Sequence, residues 1–295
     1  MKKMLTLLVA ILLSLPAYSH ESCIPQNNIR IPVSYSKSIT AMDEAKFNEV
    51  IDSIEQIYAP IFKEEYKAQL QIERNWEDET VNAYAMQSGK TWKVAMFGGL
   101  ARHETITEDG FRAVVCHEVG HHIGGAVRKG FSWASNEGQA DYFATSKCLK
   151  KFFEAEDEKE KTIKFYRTKI AEGDLNRQFA KKRCNETHSN LLESASCFRG
   201  AMAGQSLAEL FRALGQSSKD LKFESPDPKK VTRTNHNHPD SQCRMDTYFQ
   251  GALCIADKDM FPSNTDVTVS YCTEKEGYTI GVRPHCWYNP SEYEK

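Results

Sequence analysis

Two hydrophobic periods divide the first hundred residues of the chain. Phe47, Val50, Ile51, Ile54, Ile57 and Tyr58 recur at helical spacing, which places them on one face of an amphipathic helix. Thr40 followed by Asp43 resembles a capping box at its start, and Pro60 is expected to stop or kink it. From 69 to 97 the period falls to two. "QLQIERNW", "TVNAYAM" and "TWKVAMF" alternate, with Ser88-Gly89 as a turn between the last two. Three strands are expected here, the last two forming a hairpin, with Gly98-Gly99 closing the sheet region.

Beyond the strands the pattern is helical. A helix is expected from about 108 to 124, then a loop over 125–134, then a second helix starting near Ser135 and running past Cys148. Its later part, "EAEDEKEKTIKFYRTK", reads as a solvated helix face. A third helical stretch spans 190–214, with Leu191, Leu192, Ala195, Phe198, Met202, Leu207, Leu210 and Phe211 on a buried face. Residues 215–237 contain Pro226 and Pro228 and read as a loop. Pro239 can open a short helix through about 252. The rest is irregular and contains cysteine, and no internal repeat is visible.

The start and the cysteines bear on compartment. "MKKMLTLLVAILLSLPAYS" has two lysines, an apolar run and a small-residue end, the signature of a signal peptide cleaved near Ser19. The run is too short to span a bilayer, and "SHESC" lacks the apolar and small residues of a lipoprotein site before Cys23. The formal net charge is −2, which gives no electrostatic footprint for nucleic acid. Nine cysteines in an exported chain read mainly as disulfides, and the odd number leaves at least one free. No CxxC pair occurs, which argues against a zinc ribbon. Connectivity does not follow from sequence. Cys272 with Cys286 is the expected pair, and Cys116 the expected free thiol, a small buried hydrophobe.

The densest chemistry lies in "AVVCHEVGHHIGG", residues 113–125. His117 and His121 are four apart, so on a helix both imidazoles project from one face and can reach one ion. Glu118 lies beside them. The HExxH pattern provides two zinc ligands and a general base, the carboxylate that takes a proton from the attacking water and returns it to the leaving amine. By itself it fixes only three positions, and surface histidines on an amphipathic helix would match it too. Val114, Val115, Val119 and Ile123 argue otherwise, because histidines in so apolar a helix are costly without partners. Gly120 and Gly124 make sense where a backbone or a substrate comes close. Downstream, "SNEGQADYFAT" offers Glu137 as a third ligand, and Asp141, one turn later, as the acceptor that orients a ligand histidine. His122 is turned about 100° from His121 and is not expected at the same ion. His236 reads as a polar loop histidine.

Four ordered segments, "VNAYAMQSGKTWKVAMFGGL", "EDGFRAVVCHEVGHH", "NEGQADYFAT" and "HPDSQCR", together resemble the HtpX and CaaX-prenyl-protease type of zinc metallopeptidase, the gluzincins of family M-48. The resemblance covers roughly 70–250. It implies an α+β, zincin-like domain with a small mixed sheet, an HExxH active helix and further helices. It implies one zinc ion per chain on His117, His121 and Glu137, with Glu118 as base and Asp141 behind the ligands. It places the strand carrying Asn82, Ala83 and Tyr84 at a sheet edge where an extended protein or peptide substrate could pair. It brings His238 or Arg244 near the site, able to stabilise an oxyanion. This chain departs from the family in having a cleavable signal in place of several membrane spans, many cysteines, and sections at 150–235 and 255–295 that match no family element.

The expected organisation is a signal peptide at 1–19, a zinc metallopeptidase domain at 20–254 that includes the helical section 150–235, and a Cys-containing tail at 255–295. The expected activity is hydrolysis of protein or peptide bonds by zinc-activated water, in the bacterial envelope or outside the cell, with no nucleic-acid partner and with an envelope protein as a candidate partner. Two rivals are a zincin-fold binding protein without turnover and a disulfide-rich structural domain. The intact Glu118 argues against the first.

Overall fold

The computed structural model describes residues 22–37, 42–130, 132–216 and 219–294. The expected signal peptide and Thr40 lie outside them. Helix α1 (Glu44–Glu64) begins where Asp43 accepts the Lys46 N–H at 2.8 Å, satisfying one of the orphan donors of the first turn. It buries Phe47, Val50, Ile51, Ile54, Tyr58 and Phe62. The helix continues through Pro60, so the proline does not stop it. Only its last turn follows the proline, and the fully buried Phe62 holds that turn in the core.

The three strands are β1 (Gln69–Asn75), β2 (Ala83–Ser88) and β3 (Thr91–Phe97). The expected hairpin is present, Ser88 pairing with Thr91 and Gly89 turning the chain at φ +57°. β3 is central and pairs in parallel with β1, so the sheet is mixed, in the order β1-β3-β2. The start of β2 and the residues 79–82 leading into it are lined by the chain's own residues 22–31. Ser22 bridges Tyr84 and Arg30 bridges Thr80, both antiparallel. Arg102, just past the short helix α2 (Gly98–Ala101), fixes the root of this segment by donating to the Ile31 carbonyl through Nε and Nη2 at 3.0 and 2.8 Å.

Helix α3 (Glu108–Ile123) starts at the Thr107 cap, whose hydroxyl accepts the Gly110 N–H. Every residue from Gly110 to Ile123 is buried, so α3 has no solvent face: it is the central helix. Helix α4 (Glu137–Phe143) continues through a π-helical stretch, Ala144–Cys148, into α5 (Leu149–Phe153). The second expected helix thus passes Cys148 but stops at Phe153.

The charged run begins a separate helix, α6 (Lys159–Arg167), and is only partly solvated. Glu158, Thr162 and Tyr166 are buried, because Glu158 and Thr162 bind the Arg199 guanidinium at 2.7 and 2.9 Å. Helix α7 (Leu175–Thr187) lies within the expected helical section, but the pattern does not single it out because its sequence is too polar to show a period. Helix α8 (Leu191–Phe211) buries Ala195, Phe198, Met202, Leu207, Leu210 and Phe211 as expected, but Leu191 is exposed, since the buried part of the helix starts only at Ser194. Helix α9 (Ser241–Leu253) starts two residues after Pro239, with Asp240 at the cap position. The tail is irregular apart from α10 (Pro290–Tyr293).

Four disulfides join Cys116 to Cys148, Cys184 to Cys197, Cys243 to Cys286 and Cys254 to Cys272. The free thiol is Cys23. Both cysteine expectations are therefore corrected. Cys116 on α3 meets Cys148 where the next long helix crosses it. The tail folds back along α9, so Cys272 and Cys286 face opposite ends of that helix and not each other. Four disulfides point to an oxidising, extracytoplasmic compartment. Among the described residues no helix is long and apolar enough to cross a membrane.

Candidate active site

His117 and His121 lie one turn apart on α3 with ring centroids 4.6 Å apart. Asn136 caps α4 by accepting the Gln139 N–H at 2.8 Å, which puts Glu137 at the first helical residue, facing them. Glu137 Oε2 is 3.3 Å from His117 Nε2 and Oε1 is 3.7 Å from His121 Nε2. The three residues form one buried group whose ligand atoms all lie within 4.8 Å of one another.

The other ring nitrogens are occupied. His117 Nδ1–H donates to Asp141 Oδ1 at 2.7 Å, and His121 Nδ1–H donates to the Ser135 carbonyl at 2.8 Å. These bonds leave both Nε2 lone pairs directed inward. His117 Nε2, His121 Nε2 and Glu137 Oε2 are buried with no hydrogen-bond partner among the described residues. Buried polar atoms normally find partners, and two imidazoles with one carboxylate form a donor set that suits zinc. The residues present fit such an ion.

Charge in the group follows from burial and proximity. Burial would raise the Glu137 carboxyl, but His121, His117 and His238 outweigh it and hold it at about 2. Burial, with His117 alongside, pushes His121 down to about 4. Glu118 lies beside His117 with both oxygens buried and without a hydrogen-bond partner among the described residues. Burial raises it to about 8 against the pull of His117. A cation at the neighbouring ligands would favour its carboxylate form. Burial likewise raises the Cys23 thiol.

Helices α3 and α4 approach closely enough to bring these groups together because of Gly120. A Cβ there would stand 2.9 Å from the Phe143 ring and 3.2 Å from Ala140 Cα. The glycine makes room for the next helix and not for a substrate. On the far side of α4, a Cβ on Gly138 would run into the Trp287 ring at 2.3 Å. The tail also engages α4 through Arg283, which donates to Gln139 Oε1 at 2.7 Å, and through the Tyr142 hydroxyl, which donates to the Gly281 carbonyl. The tail, unreadable from sequence, is the support that backs Glu137.

Asp141 is the anchor of the site. It accepts from His117, from Arg244 Nε and Nη2 at 2.7 Å each, and from the Tyr248 hydroxyl at 2.5 Å. Burial opposes its charge, yet Arg244 and His117 hold its carboxyl well below the ordinary range.

The remaining nominated residues surround the chain's own N-terminal segment. His238 Nε2 is 3.3 Å from Glu137 Oε2 and donates to the Ser22 carbonyl at 2.7 Å. Arg244 Nη1 donates to the Cys23 carbonyl at 2.8 Å. Asn82 holds both backbone groups of Ile24, and the Ala83 carbonyl accepts the Cys23 N–H at 3.1 Å. Tyr84 bridges Ser22.

His122 and His236 stand apart from the group. His122 is stacked between Trp92 and Trp133 and donates to the Lys93 carbonyl at 3.0 Å, with burial holding it down to about 3. His236 meets Asn136 Nδ2 at 3.3 Å.

Two participants were missed in the sequence. Tyr248 follows Arg244 by four, on the same helix face, a spacing that could have nominated it. Cys23 was signalled only by the odd cysteine count.

The family model described as Peptidase family M48 matches residues 44–248. That stretch holds His117, Glu118, His121, Glu137, Asp141, His238 and Arg244. No curated protein and no solved structure matches the chain.

Proposed function

The chain belongs to peptidase family M48, and from that premise we propose that it is a zinc-dependent metalloendopeptidase cleaving extended protein or peptide segments in the bacterial envelope or outside the cell. The observation that carries this reading is the convergence of three orphaned, buried ligand atoms, His117 Nε2, His121 Nε2 and Glu137 Oε2, beside an unpartnered Glu118 carboxyl. His117, His121 and Glu137 would hold one ion per chain. When bound, the ion supplies a Lewis acid that acidifies water and polarises a carbonyl.

The chain's own groups do the rest. Glu118 takes the proton of the attacking water and returns it to the leaving amine. Its position in the dry interior keeps that proton from exchanging freely with solvent. Asp141 holds His117 in one tautomer and orientation. The Ala83 carbonyl and the Asn82 amide present a strand edge to which a substrate backbone pairs. His238, with an N–H already directed at a backbone carbonyl, is placed to stabilise an oxyanion, as is the Arg244 Nη1 group. The disulfides and the signal-like first 19 residues of the sequence support export.

The test compares the purified chain with Glu118→Gln for metal content and for cleavage of a library of unstructured peptides. Both proteins should carry one zinc, and cleavage should fall by about 10²–10⁴-fold in the variant. Equal and measurable cleavage by the two proteins would dispose of the mechanism.

A further inference from the structure

The edge proposed above for the substrate, residues 81–84 at the start of β2, is covered by residues 22–27 of the same chain. Cys23 N–H donates to the Ala83 carbonyl at 3.1 Å, Asn82 binds the Ile24 backbone at 3.2 and 3.1 Å, and Asn27 donates to the Val81 carbonyl at 3.1 Å. On its other side the segment presents the Ser22 carbonyl to His238 and the Cys23 carbonyl to Arg244. Strand pairing along one side and carbonyl-directed donors along the other are what a bound substrate backbone would receive.

The Cys23 side chain reaches the metal group at its His117 edge, on the side of Glu118. Its Sγ, a ring nitrogen of His117 and a carboxylate oxygen of Glu118 all lie within 4.8 Å of one another, every residue buried. His117 is shared with the ligand set, and both Glu118 oxygens lack a hydrogen-bond partner among the described residues. Eight of the nine cysteines are consumed in disulfides, and Cys23 alone keeps its thiol. Arg244 Nη2 stands 4.0 Å from its sulfur.

We propose that Ser22–Asn27 occupies this chain's own substrate groove as an added strand, with the Cys23 sulfur as the fourth ligand of the ion held by His117, His121 and Glu137. The inference rests on the metallopeptidase reading for the ion itself. Three protein ligands leave one position open, and a thiolate is among the preferred zinc donors. In the ligation step the Cys23 S–H bond breaks, the proton leaves to the buffer, a sulfur–metal bond forms, and nothing is oxidised or reduced. The sulfur then excludes the attacking water from that position, and Glu118 has no proton to take. The chain is latent while the segment is docked. A substrate must displace it and would lie as it does, antiparallel to β2.

The test uses the full chain with Co²⁺ in place of zinc. Thiolate bound to cobalt gives a charge-transfer absorption in the near ultraviolet, and with the other eight cysteines paired only Cys23 can produce it. The unmodified chain should show this band. Cys23→Ser should bind the same amount of cobalt, lack the band, and cleave peptides about tenfold faster or more, because the competent fraction is small while the segment is docked. Adding Glu118→Gln to Cys23→Ser should abolish that gain. A cobalt-loaded wild-type chain without the band overturns the proposal, and this reading needs no variant to fold. If cleavage persists without the band, the latch fails and the peptidase reading stands. If the band appears and is lost in Cys23→Ser but no form cleaves any peptide, thiolate ligation stands and the peptidase reading fails.

Discussion

His117 Nδ1 and Asp141 Oδ1 stand 2.7 Å apart across the contact between α3 and α4, both fully buried. The same carboxylate receives Arg244 and Tyr248, so one acidic side chain ties the active helix to α4 and α9. Asp141→Asn keeps the shape and removes the charge. Zinc affinity should fall about 10–100-fold, the usual cost of losing a carboxylate behind a ligand histidine. Stability should fall by about 3–5 kcal/mol, since Arg244 is left as a buried charge without its partner. Competition with a chelator measures the first and urea unfolding the second. Glu137→Ala, which removes a ligand outright, should lose more zinc affinity than Asp141→Asn; the reverse order would shift the ligand role away from Glu137.

Gly120→Ala tests the helix approach. In a solvated helix the change would gain about 1 kcal/mol. Here the added methyl meets the Phe143 ring and the Ala140 backbone, and overpacking of this kind costs about 1–3 kcal/mol. The variant should be less stable and should bind zinc more weakly, because separating the helices moves Glu137 from the histidines. A variant as stable as the parent, with full zinc affinity, would show that the contact yields.

The bond between Cys116 and Cys148 closes a loop across 32 positions. Chain-entropy arithmetic gives about 3–4 kcal/mol for a loop of that length. Replacing both cysteines with alanine should lower the denaturation free energy by about that much while leaving the zinc ligands in place. A loss below about 1 kcal/mol would mean that the helices cross here without needing the link.

Two buried lysines make stability depend on pH. Burial pushes Lys147 down to about 7 and Lys150 to about 8. Lys150 donates to the Cys254 carbonyl and Lys147 to the Asp257 carbonyl. In the unfolded chain both stay protonated up to about 10.4. Between about pH 8 and 10 the unfolded chain therefore binds more protons, so stability rises with pH there and falls as pH drops toward 7. Lys150→Met should remove one of the two linkages and reduce that rise. Urea midpoints at pH 7, 8 and 9 would show it; a flat profile in the parent would mean that both lysines remain charged in the fold.

What the sequence revealed was local. The face of α1, the hairpin at Ser88-Gly89, and the i, i+4 pairs His117/His121 and Glu137/Asp141 each depend on residues a turn apart. What it concealed was long-range. Nothing near β1 announces that it pairs in parallel with β3, or that the next chain neighbour of His121 in space is the Ser135 carbonyl, a backbone atom with no side-chain signature. The partners of Cys116, Cys272 and Cys286 depend on how the tail folds back. Cys23 lies far from His117 in sequence, and its place depends on strand pairing at Ala83.

Helix α9 is tied at its first turn to Cys286 and just past its last to Cys272. It carries Arg244 and Tyr248, two of the three groups that hold Asp141. During synthesis the HExxH helix therefore emerges well before the residues that complete its anchorage, and the last of those clasps forms only on oxidation. Closing both clasps needs Cys272 and Cys286 and an oxidising compartment, so the anchorage of Asp141 through α9 is secured only after the HExxH helix has been made.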